Sequence, residues 1–161
     1  YCCHLFFLKC WGQFDFYVVH RMRNIAMKLK LHHINLCTEN VERMDAFYKS
    51  VLGLAEETEG LPVLEKKKGY AGDVAFVSDG AIQMHLAQKD VGAGFRTGHI
   101  VNPVERGHIA YRTDDLDAFR AHLESQGIPY SDWGDQAVAG WHQIFFYDPD
   151  GNIIEVHQVD G

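Results

Sequence analysis

Gly107-His108-Ile109-Ala110-Tyr111 and, 47 positions after His108, Glu155 within Asp148-Pro149-Asp150-Gly151-Asn152-Ile153-Ile154-Glu155-Val156 decide how this chain folds. The pair reads as a metal site built on strands. The first half carries a matching start, His32-His33-Ile34-Asn35-Leu36. Each histidine strand is followed by an amphipathic helix containing the same tripeptide, Asp45-Ala46-Phe47 in one half and Asp117-Ala118-Phe119 in the other. Self-similarity at this spacing indicates two copies of one supersecondary unit. Each copy opens with a histidine, so both would send ligands into a shared cleft.

Working outward, Leu29, Leu31, His33 and Asn35 alternate with Lys30, His32, Ile34 and Leu36, the signature of a strand with two different faces. Thr38-Glu39-Asn40 supplies capping groups. Val41, Met44, Phe47, Tyr48, Val51 and Leu52 then recur at helical spacing, with Gly53 as the stop. Strands are expected over 61–67, 73–77 and 81–88, with Ser78-Asp79-Gly80 turning between the last two. After a Gly-containing loop over 89–104 the order repeats. A strand over 107–113 leads to a cap at Asp114 or Asp115, then to a helix with Leu116, Phe119 and Leu123 inward that Gly127 closes. Strands over 129–131, 141–147 and 152–158 complete the copy. The fold class is α+β: two βαβββ modules, 28–88 and 105–158, whose curled mixed sheet surrounds a metal-binding cleft within one domain over 28–161.

Asp148-Pro149-Asp150-Gly151 suits a type I turn between the last two strands. Pairing Tyr147 with Asn152 across it would set Ile144 beside Glu155 and His142 beside His157. A carboxylate among apolar neighbours on a concave face requires a proton or a cation. Divalent metals accept neutral imidazole and carboxylate together, and two His with one carboxylate leave positions open for substrate or oxygen. His33, His108 and Glu155 are therefore the expected metal ligands. A fourth belongs on the closing strand of the first module, where Gln83 and His85 share a face about 6 to 7 Å apart. Aligning Met84-His85-Leu86 with Ile154-Glu155-Val156 selects His85, and sliding the alignment by two selects Gln83. His85 is the working choice. His32 is expected on the opposite face, His99 and His122 toward solvent, and His142 and His157 as partners that orient the ligands.

From residue 28 to the end the sequence resembles the vicinal oxygen chelate superfamily, which includes glyoxalase I, bleomycin resistance proteins, extradiol dioxygenases, fosfomycin resistance enzymes and methylmalonyl-CoA epimerase. The motifs that carry the resemblance are His33-Ile34, Ala46-Phe47-Tyr48 with Val51-Leu52-Gly53-Leu54, Gly107-His108-Ile109-Ala110, and Phe146-Tyr147-Asp148-Pro149-Asp150-Gly151-Asn152 running into Ile154-Glu155. It implies two βαβββ modules around a divalent metal, with His33, His108, Glu155 and either His85 or Gln83 as ligands and a small-molecule substrate bound through vicinal oxygens. A homodimer is also implied, since such modules leave sheet edges and apolar faces for a twofold partner to cover.

Three functions fit these residues. In a glyoxalase-like lyase or isomerase, nickel, zinc, cobalt or manganese would polarise a substrate oxygen and Glu155 would move the adjacent proton. In an extradiol dioxygenase, iron would sit on His33, His108 and Glu155, with His85 as the base. In a bleomycin-resistance-like binding protein the cleft would bind without metal, and four ionisable groups at ligand positions argue against that. Trp133, Trp141, Phe146 and Tyr111 are core residues or pocket walls.

Among 161 residues, 47% are hydrophobic and 23% charged, an ordinary globular balance. The formal charge of −7 argues against a nucleic-acid partner. Lys66-Lys67-Lys68 reads as a solvated strand end. Cys2, Cys3 and Cys10 show no metal or disulfide spacing, and Cys37 reads as a small buried apolar residue. Residues 1–27 read as an extension outside the fold. Their apolar pieces are too short and interrupted for a membrane span or a signal peptide, so the cytoplasm is the default location.

Overall fold

A computed structural model describes residues 28–64 and 69–160. The expected extension over 1–27 and the run Lys66-Lys67-Lys68 lie outside these residues. The first module comprises strand β1 (Lys30–Thr38), helix α1 (Val41–Ser50), and strands β2 (Ala55–Glu56), β3 (Val74–Ser78) and β4 (Gln83–Gln88). A short helix, α2 (Ala93–Thr97), interrupts the connecting loop. The second module comprises β5 (Gly107–Arg112), α3 (Leu116–Ser125), β6 (Tyr130–Gly134), β7 (Trp141–Tyr147) and β8 (Ile153–Val159).

All eight strands form one mixed sheet in the order β2-β3-β4-β1-β5-β8-β7-β6. Within each module the opening strand pairs in parallel with the closing one, β1 with β4 and β5 with β8. The two opening strands meet antiparallel at the centre of the sheet, with Asn35 opposite His108. This topology is what brings ligand-type residues from both halves to one place. Gly107 is required at the junction: its φ is +103°, and a Cβ there would stand 2.2 Å from the Asn35 carbonyl oxygen. Any larger residue would push β5 off β1 one position before His108.

Capping follows the sequence. Asn40 accepts from the Arg43 N–H at 2.8 Å, and Asp115 accepts from the Ala118 N–H at 2.9 Å. Leu116, Phe119 and Leu123 of α3 are buried with Ile144 and Val156 in one core cluster. A second cluster, including Tyr70, Val101, Val104, Trp133 and Phe145, lies beneath the α2 connection. The expected inward face of α1 is different: Phe47, Val51 and Leu52 are exposed, and no residue of that helix is fully buried. Apolar residues at helical spacing identified the helix without guaranteeing a cover for its apolar stripe.

Other expectations are corrected by backbone pairing. Of the strand expected over 61–67, the described residues 61–64 form no more than an isolated bridge from Leu64 to Val138, and a short strand, β2, stands earlier at Ala55–Glu56, while 65–67 lie outside the described residues. Tyr147 pairs with Ile153, not Asn152. Asp148 explains the change, because its side chain accepts the N–H groups of Asp150 and Asn152 and its own N–H reaches the Asn152 carbonyl, so the loop closes one residue later. Phe145 consequently faces Glu155, and Gln143 faces His157. His142 turns outward to Asp160 at 3.0 Å.

Candidate metal centre

His33, His108 and Glu155 converge on the inner face of the sheet, with one ligand-type atom from each inside a mutual 4.8 Å. Their convergence follows from register. His33 of β1 and Glu155 of β8 are both cross-strand partners of Ala110 on the strand between them. Ala110 is fully buried. Its methyl group leaves the space over which the two longer side chains lean together, so the alanine of the Gly-His-Ile-Ala stretch is as much part of the site as the histidine. Periodicity had offered no reason to single it out.

The electrostatics of the trio are unusual for an interior. Glu155 is 1% exposed, and its Oε2 lies 3.0 Å from His108 Nε2 and 3.8 Å from His33 Nε2. Oε2 nevertheless has no aligned hydrogen-bond donor. On the far side of the His108 ring, Nδ1 lies 3.0 Å from the Pro103 carbonyl oxygen, which can only accept. A neutral His108 must then carry its proton on Nδ1, which leaves Nε2 as a lone pair facing a carboxylate oxygen. Two acceptors at 3.0 Å repel unless a proton or a metal ion stands between them. The donor set, neutral imidazoles with a buried carboxylate, fits a divalent ion.

The protonation states agree with that chemistry. Burial, reinforced by His85, holds His33 well below the usual imidazole range, while Glu155 partly opposes the shift. Burial likewise takes His85 down to about 3 and His32 to about 4. Burial alone would raise the Glu155 pKa, but wherever a proton stands between the carboxylate and the His108 or His157 ring, donation from that ring outweighs burial and keeps the group well below its ordinary range. Imidazoles that are neutral and a carboxylate that is ionised are the ligating forms.

The fourth position is less direct. The His85 ring stacks on His33 with centroids 3.8 Å apart, and its Nε2 lies 3.3 Å from Gln83 Oε1. Gln83 is itself tied to the Glu59 carbonyl at 3.2 Å. Gln83 and His85 thus form a pair beside the trio.

Three histidines stand elsewhere than expected. A bulge between Leu31 and His33 brings the His32 ring beside His33, with their Nδ1 atoms 3.0 Å apart. A two-residue period cannot foresee an inserted residue. His99 stacks on Trp133 at 4.5 Å with its Nε2 buried. His142 is turned away from the site, whereas His157 is fully buried with Nδ1 2.8 Å from Glu155 Oε1. His122, on α3 beside Phe119, is half-buried.

A cavity of about 60 Å³ opens onto the trio, and its walls include Leu64, Phe76, Val138, Trp141 and Phe145. Of the four large aromatics named from sequence, Trp141 lines this cavity, Trp133 lies in the core, and Tyr111 and Phe146 pack against the α3 cluster. Cys37 is half-buried, and burial raises its thiol to about 11, which fits packing and not nucleophilic chemistry. Among the described residues no helix is long and apolar enough to cross a membrane.

A family model described as the Glyoxalase/Bleomycin resistance protein/Dioxygenase superfamily matches residues 30–156. The chain is 27% identical over 131 residues to the uncharacterised protein YaeR of Escherichia coli (strain K12), covering 80% of this chain and 95% of that one. It is 25% identical over 135 residues to Glyoxylase I 4 of Arabidopsis thaliana, covering 81% of this chain and 71% of the relative. Among solved structures, methylmalonyl-CoA epimerase from Mycobacterium tuberculosis superposes with a TM-score of 0.59 at 18% identity, over 81% of this chain and 88% of that one. At that identity the likeness speaks to the fold alone.

Proposed function

The chain belongs to the Glyoxalase/Bleomycin resistance protein/Dioxygenase superfamily, and from that premise we propose that it is an enzyme holding a divalent metal on His33, His108 and Glu155. The observation that carries the proposal is the approach of His108 Nε2 to Glu155 Oε2 at 3.0 Å, with no aligned donor on that oxygen and His108 Nδ1 taken up by the Pro103 carbonyl. A bound nickel, zinc, cobalt, manganese or iron ion supplies Lewis acidity toward a substrate oxygen.

The reaction favoured is a glyoxalase-like isomerisation or lysis of a small substrate. The cavity walls bind its apolar part and exclude water, while the imidazole and carboxylate pole orients its oxygens. Glu155 is crowded on both oxygens, so the proton beside the polarised carbonyl falls to His85. If His85 Nε2 donates to Gln83 Oε1, its Nδ1 is the basic atom. With a pKa of about 3, His85 takes a proton only from a carbon already acidified by polarisation of its neighbour. Among the relatives, Glyoxylase I 4 carries a name of this class.

A second reading is an extradiol-type dioxygenase. Two histidines and one carboxylate, with a further histidine beside them and outside the trio, suit iron with positions open for a catechol and oxygen. Metal analysis of protein purified without added metal, followed by catechol-dependent oxygen uptake, separates the two. Nickel, zinc, cobalt or manganese with no oxygen uptake supports the isomerase reading. Iron with uptake abolished by His85→Gln supports the dioxygenase. Protein carrying no metal, and binding none of the five on dialysis, would contradict both. We also propose a homodimer, supported by the exposed Phe47 on α1 and Val51 and Leu52 just past its end; light scattering showing a monomer at tens of micromolar would overturn it.

A further inference from the structure

Behind the trio lies an inner layer that no ligand role uses: His157, Gln143 and Arg112. Gln143 Nε2 donates to Glu155 Oε1 at 3.0 Å. His157 Nδ1 lies 2.8 Å from the same oxygen, a close approach without the alignment of a regular hydrogen bond. Arg112 Nε donates to His157 Nε2 at 3.2 Å, and its guanidinium carbon stands 5.2 Å over the Trp141 ring, which stacks on His157 at 4.5 Å. An arginine can only donate and does not lose its proton in proteins. His157 Nε2 must therefore be the acceptor, and the neutral ring carries its proton on Nδ1, facing the carboxylate.

We infer that Arg112, acting through the tautomer it imposes on His157, commits Glu155 Oε1 to Gln143 and His157 and so reserves Oε2 alone for the metal. Both N–H groups address one oxygen, whereas the two ligand histidines face the other. Ligation is then through one oxygen. That keeps one more position open for substrate than a carboxylate gripping with both oxygens would leave. Arg112 and His157 are positioning residues in this arrangement, since neither faces the cavity. The spacing Glu155-Val156-His157 follows from the two-residue strand period, which puts both side chains on the inner face, and Arg112 pairs with His157 across β5 and β8.

This inference rests on the metal reading above, and its test keeps the two apart. Zinc is titrated calorimetrically into wild type, Arg112→Met and His157→Phe, and the carboxylate stretches of apo and zinc-loaded protein are compared by infrared difference spectroscopy. Wild type should bind zinc with the wide splitting of a carboxylate bound through one oxygen. Both variants should bind it about 10- to 100-fold more weakly, the range typical of partners that orient metal ligands. In His157→Phe combined with Gln143→Leu, the splitting should narrow toward two-oxygen binding. Thermal unfolding of the apo variants identifies general damage, and Arg112→Met, which keeps an unbranched side chain of similar reach, carries the test if His157→Phe fails to fold. Wild type with a narrow splitting, or affinity and splitting indifferent to Arg112, would overturn the inference while leaving the metal site standing. No zinc binding by wild type would overturn both.

Discussion

The two modules have the same strand order and unequal interiors. In the second, α3 seats Leu116, Phe119 and Leu123 in a closed cluster, and β8 carries a carboxylate braced from behind by Gln143. In the first, α1 buries no residue completely, and β4 carries His85, stacked on His33 and tied to Gln83. Two copies of one unit have divided the work: the second supplies rigidity and the anion, the first supplies histidines held neutral by burial. Matching topology is thus compatible with different energetics, because strand pairing sets where residues stand and packing sets how firmly.

The largest effect expected from this contrast is on stability. Phe119→Ala should cost about 3 to 5 kcal/mol by cavity formation, whereas its counterpart Phe47→Ala, half exposed, should stay within about 0.5 kcal/mol. Chemical denaturation of both variants checks it, and comparable losses would show that the helices are equally packed.

Acid comes next. His85 and His32 have folded pKa values of about 3 and 4, below the ordinary imidazole value, so the unfolded chain takes up protons first. Their contribution is fully present above about pH 6.5 and is lost as pH falls toward the folded values. For the well-buried His85 the loss at pH 5 is about 2 kcal/mol, at roughly 1.4 kcal/mol per pH unit. Glu155 has the same sign of linkage in a lower window: its depressed pKa contributes stability that is present above the ordinary carboxylate range and lost as pH falls below it. Metal-free protein should therefore lose thermal stability between pH 6.5 and 5, and His85→Gln should flatten that slope. An unchanged slope would show that the first module is not the acid-sensitive half.

Smaller still are the caps. Asn40→Ala and Asp115→Ala remove equivalent bonds and should each cost about 1 kcal/mol. Equal values would assign the difference between the helices to packing, while a much larger cost at Asp115 would assign it to the termini.

Much of this arrangement was legible in the residues. The doubled histidine strands and the Asp-Ala-Phe helices pointed to the βαβββ repeat, and the two strand histidines with Glu155 pointed to the trio that the fold brings together, as the resemblance also implied. What escaped was set by single-residue events. The bulge at His32 and the Asp148 side chain at the β7–β8 turn each shift register by one position, and one position exchanges the faces of a strand. The slip at the turn put Phe145 opposite Glu155 in place of the expected Ile144, let Gln143 reach the carboxylate and turned His142 outward, while His157 stands beside Glu155 as expected. Ala110 matters through a side chain it lacks, which no pattern of polar residues reveals. The bare face of α1 depends on what packs over it, information that helical spacing does not contain.

The central claim is that His33, His108 and Glu155 form one metal centre, and calorimetric cobalt(II) titration of wild type and Glu155→Gln tests it most directly, with half-buried His122→Gln as the control. Wild type and His122→Gln should bind one ion per chain with equal affinity. Glu155→Gln, nearly the same shape without the charge, should remain folded and bind more than about 100-fold more weakly, beyond the range typical of residues that only orient ligands. Full stoichiometry and unchanged affinity in Glu155→Gln would contradict the account.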